Sequence, residues 1–269
     1  MRILFTGDWH LRGSNLHLAR GATEFIQELV DSTEGELTFI HGGDLIDEIT
    51  SETEYFARAA LTDIANGTWR SYVLVGNHDW EERQNWPNAL FDVDILDVVD
   101  KPRVAEHEGV TLAFLPSPNR AMFGATREGE GRKARDAALS QALEAALINL
   151  ETQIGPEDLG RAILFFHAAV AGSDTGTQIL PKGLTWEIPA ERLSRWGLAI
   201  GSHIHHPHKL GENIYYAGGI FSQTFGERAE SYRLLQIDVR GEGEFEVESV
   251  ELPRLLTRIE LVLDKDGLR

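Results

Sequence analysis

The sequence contains no cysteine. This absence excludes disulfides and thiolate metal sites, so any bound metal must take nitrogen and oxygen ligands. It also fits a reducing compartment, and we expect a cytoplasmic protein. No apolar run approaches the ~20 residues of a membrane-spanning helix, and the first residues lack the apolar length of a signal peptide. We therefore expect no membrane partner.

Basic residues are also scarce. The chain has 25 lysines and arginines against 43 aspartates and glutamates, which gives a formal net charge of −18. This balance argues against a protein that binds nucleic acid through a broad basic surface. A few basic residues can still gather around a cleft while the acidic excess lies elsewhere.

Short β-branched and aromatic runs alternate with helical patterns along most of the 269 residues. The predicted strands are Arg2–Thr6, Leu37–His41, Tyr72–Val75, Val110–Leu115, Ala162–Phe166, Leu198–Ile200 and Ile214–Ala217. The predicted helices are Leu16–Val30, Glu52–Asn66 and Arg132–Glu151. This alternation indicates an α/β fold with a largely buried sheet and helices outside it.

The last part of the chain has a different pattern. Closely spaced strands at Tyr232–Val239 and Glu244–Leu252 predict an antiparallel hairpin, and Arg258–Leu263 begins another strand-like segment. The glycines and charged residues of Gly124–Gly131 predict an exposed loop.

Polar side chains follow several of the predicted strands at the point where each strand ends. The motifs are Gly7-Asp8-Trp9-His10, Gly43-Asp44-Leu45-Ile46-Asp47, Gly76-Asn77-His78-Asp79, the single His167, and Gly201-Ser202-His203-Ile204-His205. The carboxyl ends of strands in α/β sheets are where binding sites assemble. We expect the preceding glycines to accept the unusual backbone angles that turn these side chains into a cleft.

The residue types in these motifs favour a metal site. Alternate residues such as Asp8 and His10, or His203 and His205, can share a face of extended backbone and so reach one ion. Carboxylate, imidazole and amide ligands together suit Mn²⁺, Fe²⁺ or Zn²⁺ better than Ca²⁺ or an all-oxygen Mg²⁺ site. A carboxylate such as that of Asp44 can bridge two ions ~3.5–4 Å apart.

Five other histidines have weaker claims to the site. His17, His41 and His107 have no partner motif, and for them we expect structural roles. His206 and His208 form a competing register for the last motif, but the intervening proline restricts the backbone between them, so we favour His203 and His205.

The ordered set of motifs resembles the calcineurin-like metallophosphoesterase superfamily. Within it, Gly7–Leu11, the His-Ile-His-His-Pro stretch at 203–207, and the segments Ile214–Ile220 and Ser222–Glu227 are similar to the SbcD-type DNA repair exonucleases. The resemblance covers Met1 to Leu256. It implies a sandwich of two mixed β-sheets flanked by helices, with the active site at the carboxyl ends of the strands. Ser202 departs from it, because the family usually has glycine there.

The resemblance also implies roles for individual residues. Asp8, His10, Asp44 and His205 would surround one divalent metal ion, and Asp44, Asn77, His167 and His203 the other. Mn²⁺ is the expected metal, with Fe²⁺, Zn²⁺ or Mg²⁺ as alternatives. His78 would contact the scissile phosphate or protonate the leaving oxygen. Asp79 would accept a hydrogen bond from the His78 ring, and Asp47 would support the site.

We therefore expect a metal-dependent DNA nuclease, with a phosphodiesterase or phosphatase of small phosphoesters as the alternative and a non-catalytic scaffold as a third possibility. Arg12 and Asp47 are the candidate substrate-binding residues, with Arg20, Lys182, Lys209 and Arg228 as further cations near the motifs. The resemblance implies a homodimer, formed through Glu52–Asn66 and the loop after Asp79, and an SbcC-like ATPase partner. It also implies that residues 1–256 form the nuclease domain and that 257–269 begin a capping region that is truncated or absent.

Overall fold

The computed structural model describes residues 1–81, 93–118, 132–176, 178, 187–223, 227, 232–253, 263–264 and 267–268. Several predictions fall wholly or partly outside these residues. They concern the loop Gly124–Gly131, the side chains of Lys182 and Arg228, most of Arg258–Leu263, and the dimer contact after Asp79.

The described residues contain sixteen strands and five α-helices. The strands are β1 (Arg2–Thr6), β2 (Leu37–His41), β3 (Arg70–Leu74), β4 (Asp97–Val99), β5 (Arg103–His107), β6 (Val110–Leu115), β7 (Ile163–His167), β8 (Ala169–Val170), β9 (Glu187–Ile188), β10 (Leu198–Ser202), β11 (His208–Leu210), β12 (Ile214–Tyr216), β13 (Arg233–Gly241), β14 (Glu244–Glu251), β15 (Leu263–Asp264) and β16 (Gly267–Leu268). The helices are α1 (Leu16–Ser32), α2 (Ser51–Asn66), α3 (His78–Glu81), α4 (Arg132–Ile154) and α5 (Ala190–Leu193).

Two mixed sheets of six strands form the centre of the fold. Their strand orders are β14-β13-β1-β2-β3-β4 and β11-β12-β10-β7-β6-β5. In the first sheet β1 runs parallel to β2 and antiparallel to β13, and in the second β7 runs parallel to both β6 and β10. The two mixed sheets of the expected α/β sandwich are therefore confirmed.

The two sheets pack face to face through an apolar core. The rings of Phe5 and Phe165 stack with their centroids 5.7 Å apart, and Ile40, Leu74 and Phe114 belong to the same buried cluster. Fully burying a side chain of this size contributes ~1.5–3 kcal/mol. The paired sheets form a rigid base for the loops that leave their carboxyl ends.

Helices cover the outer face of each sheet. In α1, buried residues recur at intervals of three and four along Leu16, Ala19, Thr23, Ile26 and Val30, and this stripe packs against the first sheet. Leu139, Leu143 and Leu147 of α4 lie in the cluster that covers the second sheet. Within the described part of the chain, no helix is long and apolar enough to cross a membrane.

The expected hairpin at the end of the chain is present, but it extends the first sheet instead of forming a separate one. Strands β13 and β14 pair antiparallel, and β13 also pairs with β1, so that Ile3 lies opposite Ile237. Strands β4, β5 and β11 at the sheet edges were not predicted, and β4 and β11 have only three residues each.

Candidate active site

The strand-end motifs meet at one edge of the sandwich. Ser202, the last residue of β10, lies opposite His167, the last residue of β7, and Thr6 at the end of β1 lies opposite His41 at the end of β2. The loops that follow β1 and β2 are joined by main-chain hydrogen bonds, among them Asp8 N–H to the carbonyl of Gly43 at 2.9 Å. The parallel pairing of strands therefore brings distant parts of the sequence together.

Four of the proposed ligands have a left-handed backbone. Their φ angles are 53° for Asp8, 45° for His10, 53° for Asp44 and 92° for His203. Each such non-glycine residue costs on the order of 1–3 kcal/mol, and such residues concentrate at functional sites. The surrounding contacts must hold these residues in place.

The role predicted for the preceding glycines needs a correction. Only Gly43 among them has a positive φ, at 106°. A Cβ atom on Gly76 would lie 2.2 Å from the main-chain nitrogen of Asp44, and one on Gly7 would lie 2.0 Å from Ser202 Oγ. These glycines provide room for close approach, while the ligands themselves adopt the unusual angles. The room beside Gly7 also accommodates Ser202, which is fully buried.

One group of proposed ligands, which we name the acidic half, consists of Asp8, His10 and His205. Their ligand atoms lie within 4.8 Å of one another. Behind the imidazoles stand two carboxylates: His10 Nδ1 lies 2.6 Å from Asp47 Oδ1, and His205 Nδ1 lies 3.0 Å from Glu227 Oε1. Each carboxylate fixes the ring that it contacts and directs the Nε2 atom of that ring into the site.

A second group, which we name the neutral half, consists of Asn77, His167 and His203. Asn77 Oδ1 lies 3.1 Å from His167 Nε2 and 2.8 Å from His203 Nδ1. His167 donates from Nδ1 to the carbonyl oxygen of Gly42 at 2.8 Å, so its Nε2 atom faces the site.

Asp44 lies between the two halves. Its Oδ2 atom is 3.7 Å from His10 Nε2 and 3.3 Å from His167 Nε2. Its Oδ1 atom accepts a hydrogen bond from the main-chain nitrogen of His78 at 2.8 Å. One carboxylate oxygen is therefore within reach of both groups, as a bridging ligand requires.

The arrangement of acceptor atoms fits divalent cations. His10 Nε2 lies only 2.9 Å from His205 Nε2, although the Nδ1 atom of each ring faces a carboxylate, which can only accept. Two neutral imidazoles held in this way present their lone pairs to each other. Positive charge between them, a proton or a metal ion, removes this repulsion, and nitrogen with oxygen ligands suits Mn²⁺, Fe²⁺ or Zn²⁺.

The electrostatics of the neutral half agree with this requirement. Burial opposes protonation of His167, but the neighbouring carboxylate of Asp44 outweighs it and raises the pKa of His167 to about 9. Burial lowers the pKa of His203 to about 3, so this ring stays neutral and able to coordinate. The Asp44 carboxylate therefore attracts positive charge to this half, and His203 offers a neutral imidazole nitrogen to it.

The prediction that Asp79 accepts from the His78 ring is wrong. The fully buried carboxylate of Asp79 accepts from four main-chain N–H groups, those of Gly76, Asp44, Leu45 and Ile46, at 2.7 to 3.4 Å. Asp47 takes the predicted role, since its Oδ1 atom lies 2.9 Å from His78 Nδ1. Asp79 instead fixes the loop that carries Asp44.

The two candidate substrate-binding residues lie together. Arg12 donates from Nε to Asp47 Oδ2 at 2.9 Å and is 46% exposed, whereas the Asp47 side chain is 6% exposed. The Asp47 carboxylate thus contacts His10, His78 and Arg12, and it orients the two histidines of the site. Arg12 is the member of the pair that a substrate can reach.

The remaining histidines lie outside the ligand groups found among the described residues. His41 accepts from the main-chain nitrogen of Gly43 at 3.2 Å, and His208 stacks on Tyr216 with ring centroids 4.7 Å apart. His206 lies 3.6 Å from Asp174. The competing register of His206 and His208 is therefore not the one that faces Asp8 and Asp44.

Sequence reasoning missed the supporting roles of Gln178, Gln223 and Glu227. Glu227 orients His205, and Gln223 donates from Nε2 to the carbonyl oxygen of Trp9 at 3.2 Å. Glu227 lies in the segment that resembles the nucleases, which was the available signal. The contacts of Gln178 follow from the fold alone.

The chain is similar to several known proteins. Two viral proteins match over most of the chain: "Putative phosphoesterase 078R" of Invertebrate iridescent virus 3, 25% identical over 99% of this chain and 70% of that protein, and "Putative phosphoesterase 244L" of Invertebrate iridescent virus 6, 23% identical over 88% and 76%.

Solved structures that this chain matches include a 5′-nucleotidase precursor from Thermus thermophilus, with a TM-score of 0.48, 11% identity, and coverage of 94% of this chain and 54% of that one. Another is an archaeal phosphodiesterase, with a TM-score of 0.43, 12% identity, and coverage of 93% and 100%. The more specific resemblance to SbcD-type nucleases stays a prediction.

The calcineurin-like phosphoesterase family model matches residues 1–138, which is just over half of the 269 residues. This span includes the first three motifs, with Asp8, Asp44 and His78. The chain therefore belongs to the calcineurin-like phosphoesterase family and is a phosphoester hydrolase.

Proposed function

We propose that this chain hydrolyses phosphodiester bonds in DNA with the help of two divalent cations, most readily Mn²⁺. The observation that carries the proposal is the convergence of acceptor atoms around Asp44, above all the two Nε2 atoms of His10 and His205 that face each other at 2.9 Å. The acidic half together with Asp44 would hold one ion, and the neutral half together with Asp44 the other.

Bound cations would supply a Lewis acid for the phosphoryl oxygen and a water of lowered pKa. The chain itself supplies the proton and the geometry. The His78 side chain is 43% exposed beside the ligand groups, where it can reach a substrate, and Asp47 orients it through Nδ1. His78 is then the general acid that protonates the leaving oxygen.

The choice of DNA rests on the resemblance of the segment around 215–227 to nucleases and on the position of Arg12. The guanidinium of Arg12 reaches the rim next to Asp47 and can contact a phosphate adjacent to the scissile one. With a net charge of −18, the isolated chain should hold DNA weakly. An SbcC-like ATPase subunit, or a second copy of the chain, then supplies most of the affinity for DNA.

A second candidate is hydrolysis of nucleotides or other small phosphoesters. The same acidic balance favours it, because a small substrate needs no extended basic surface. The ligand groups serve either substrate class equally well. Only a direct comparison of substrates separates the two.

The experiment is a parallel assay of the purified chain with Mn²⁺ on four substrates: linear duplex DNA, single-stranded DNA, a cyclic nucleotide and an aryl phosphodiester. An Asp44→Asn preparation, purified in the same way, measures contaminating nucleases. We expect cleavage of DNA and of the aryl ester, both lost with chelator. Hydrolysis of only the small esters would favour the second candidate, and no metal-dependent hydrolysis at all would refute both.

A further inference from the structure

We propose that Gln178 is a positioning residue that aligns both halves of the metal centre at once. Its side-chain amide bridges the main chain of the His203-Ile204-His205 segment. Gln178 Nε2 donates to the carbonyl oxygen of His203 at 3.0 Å, and Gln178 Oε1 accepts from the main-chain nitrogen of His205 at 2.9 Å. No motif recognised in the sequence includes this residue.

The bridged segment has an unusual position in the site. It contributes His203 to the neutral half and His205 to the acidic half, which are otherwise built from different loops. The segment begins where β10 ends, at Ser202, and among the described strands none pairs with its main chain. A displacement of this segment therefore moves one ligand of each group.

The backbone of the segment also carries strain. His203 has a φ of 92°, in the left-handed region that non-glycine residues rarely adopt. Such a conformation persists only where the surroundings determine it. Asp8 accepts from the main-chain nitrogen of His203 at 3.0 Å, and Gly219 donates to the carbonyl oxygen of His205 at 3.2 Å. Gln178 contacts the carbonyl oxygen of His203 and the main-chain nitrogen of His205, which lie between these two contacts along the chain.

A side-chain amide can make both of these contacts at neutral pH, because it carries a donor and an acceptor side by side. A carboxylate would retain the contact with His205 N–H but place a second acceptor against the His203 carbonyl oxygen. Gln178 is itself fixed, since its main-chain nitrogen donates to the carbonyl oxygen of Thr175 at 3.0 Å. It therefore acts as a substitute for the missing strand pairing.

The inference rests on the proposed two-metal function, and its test measures metal binding instead of turnover. Gln178→Met keeps the length of the side chain and removes both hydrogen bonds. Gln141→Met, at an exposed position of α4, is the matched control. Mn²⁺ binding is titrated calorimetrically from metal-free protein, and thermal unfolding is recorded with chelator and with Mn²⁺.

For Gln178→Met we expect the affinity for both ions to fall by roughly 10–100-fold, the usual effect of losing a contact behind a metal ligand. The melting temperature in chelator should stay close to that of the parent protein, while the increase caused by Mn²⁺ should shrink. Gln141→Met should change neither quantity. If the parent protein binds two ions and Gln178→Met binds Mn²⁺ with unchanged affinity, the inference is overturned and the proposed function is not.

A second variant guards against misfolding and against a purely electrostatic effect. Gln178→Glu brings a negative charge towards the site, which by itself would strengthen cation binding. The bridge predicts weaker binding, because the contact with the His203 carbonyl oxygen becomes repulsive. Stronger or equal Mn²⁺ binding in Gln178→Glu would overturn the inference. A parent protein that binds no Mn²⁺ would overturn the proposed function and this inference with it.

Discussion

The two halves of the site both contain histidine side chains, but different groups orient those histidines. In the acidic half the carboxylate of Asp8 is joined by Asp47 and Glu227, which stand behind His10 and His205. In the neutral half the amide of Asn77 is the candidate oxygen ligand, and the main-chain carbonyl of Gly42 accepts from His167. Among the described side-chain contacts, the carboxylate near the neutral half is that of Asp44, which also lies near His10 of the acidic half.

This difference has a thermodynamic consequence. A carboxylate behind an imidazole increases the basicity of the ligand, and additional negative charge strengthens the attraction of a cation. The acidic half should therefore bind its ion more tightly, and the neutral half should exchange its ion more readily. A chelator should remove the two ions in two steps, with the ion near Asn77 leaving first.

The largest effect should come from the residue common to both halves. Asp44→Asn removes the anionic charge of the bridge, so both ions should be lost and activity should disappear. Metal analysis and phosphodiesterase assays measure the two outcomes. Asp158→Asn, at an exposed surface position, is the control. A variant that retains one full equivalent of metal would show that one half binds without the bridge, and a single ion in the fully active parent protein would exclude the two-metal site.

The next effect separates chemistry from binding. His78→Ala should lower turnover by ~10²–10⁴, the usual scale for a general acid, while both ions are retained. The measurement is kcat together with metal content. His78 also lies within reach of His10 and Asp44 as a third candidate ligand group. Loss of an ion from this variant would show that His78 is a ligand and would enlarge the acidic half.

A third change makes the halves more alike. Glu227→Gln removes the carboxylate behind His205 and should lower the affinity of the acidic half by ~10–100-fold, with little effect on the ion near Asn77. The two steps of metal removal should then approach each other. Glu244→Gln, exposed on β14, serves as the control. Equal losses at both ions would mean that Glu227 acts on the whole site instead of on His205.

Much of this fold could be predicted from the sequence where the pattern is strong. β1, β2 and β6 have the predicted bounds, and α1 and α2 differ from prediction by at most two residues. Their apolar residues are dense or regularly spaced, so that burial determines the element. β4 and β11 have three residues each, which is too short for a periodic signal.

The candidate site shows the same limit at the level of side chains. Strand-end motifs identify Asp8, Asp44 and His167 because parallel strands end at a common edge. The direction of each side chain is a different matter. His78 and Asp79 are adjacent in a helical turn and point about 100° apart, which turns Asp79 into the protein and away from the imidazole. Contacts such as that of Gln178 depend on loop paths, which no local pattern encodes.

The smallest effect should arise at the rim of the acidic half. Arg12→Gln removes a charged donor but no ligand. If Arg12 contacts a DNA phosphate, the KM for a DNA oligonucleotide should rise about tenfold. This is the effect of losing one charge-assisted hydrogen bond of ~1.5 kcal/mol. The kcat for an aryl phosphodiester should stay the same. Steady-state kinetics on both substrates measure the difference.

The pairing of Arg12 with Asp47 makes a control necessary, because Asp47 also orients His10 and His78. Arg195→Gln provides it: Arg195 is 47% exposed, close to the 46% of Arg12, and is likewise paired with a carboxylate, that of Glu151. Equal losses on DNA and on the aryl ester would show that Arg12 acts through Asp47 on the chemistry. A loss confined to DNA, with a weaker salt dependence of binding, would place the DNA backbone at the acidic half, since each phosphate contact contributes to the salt dependence.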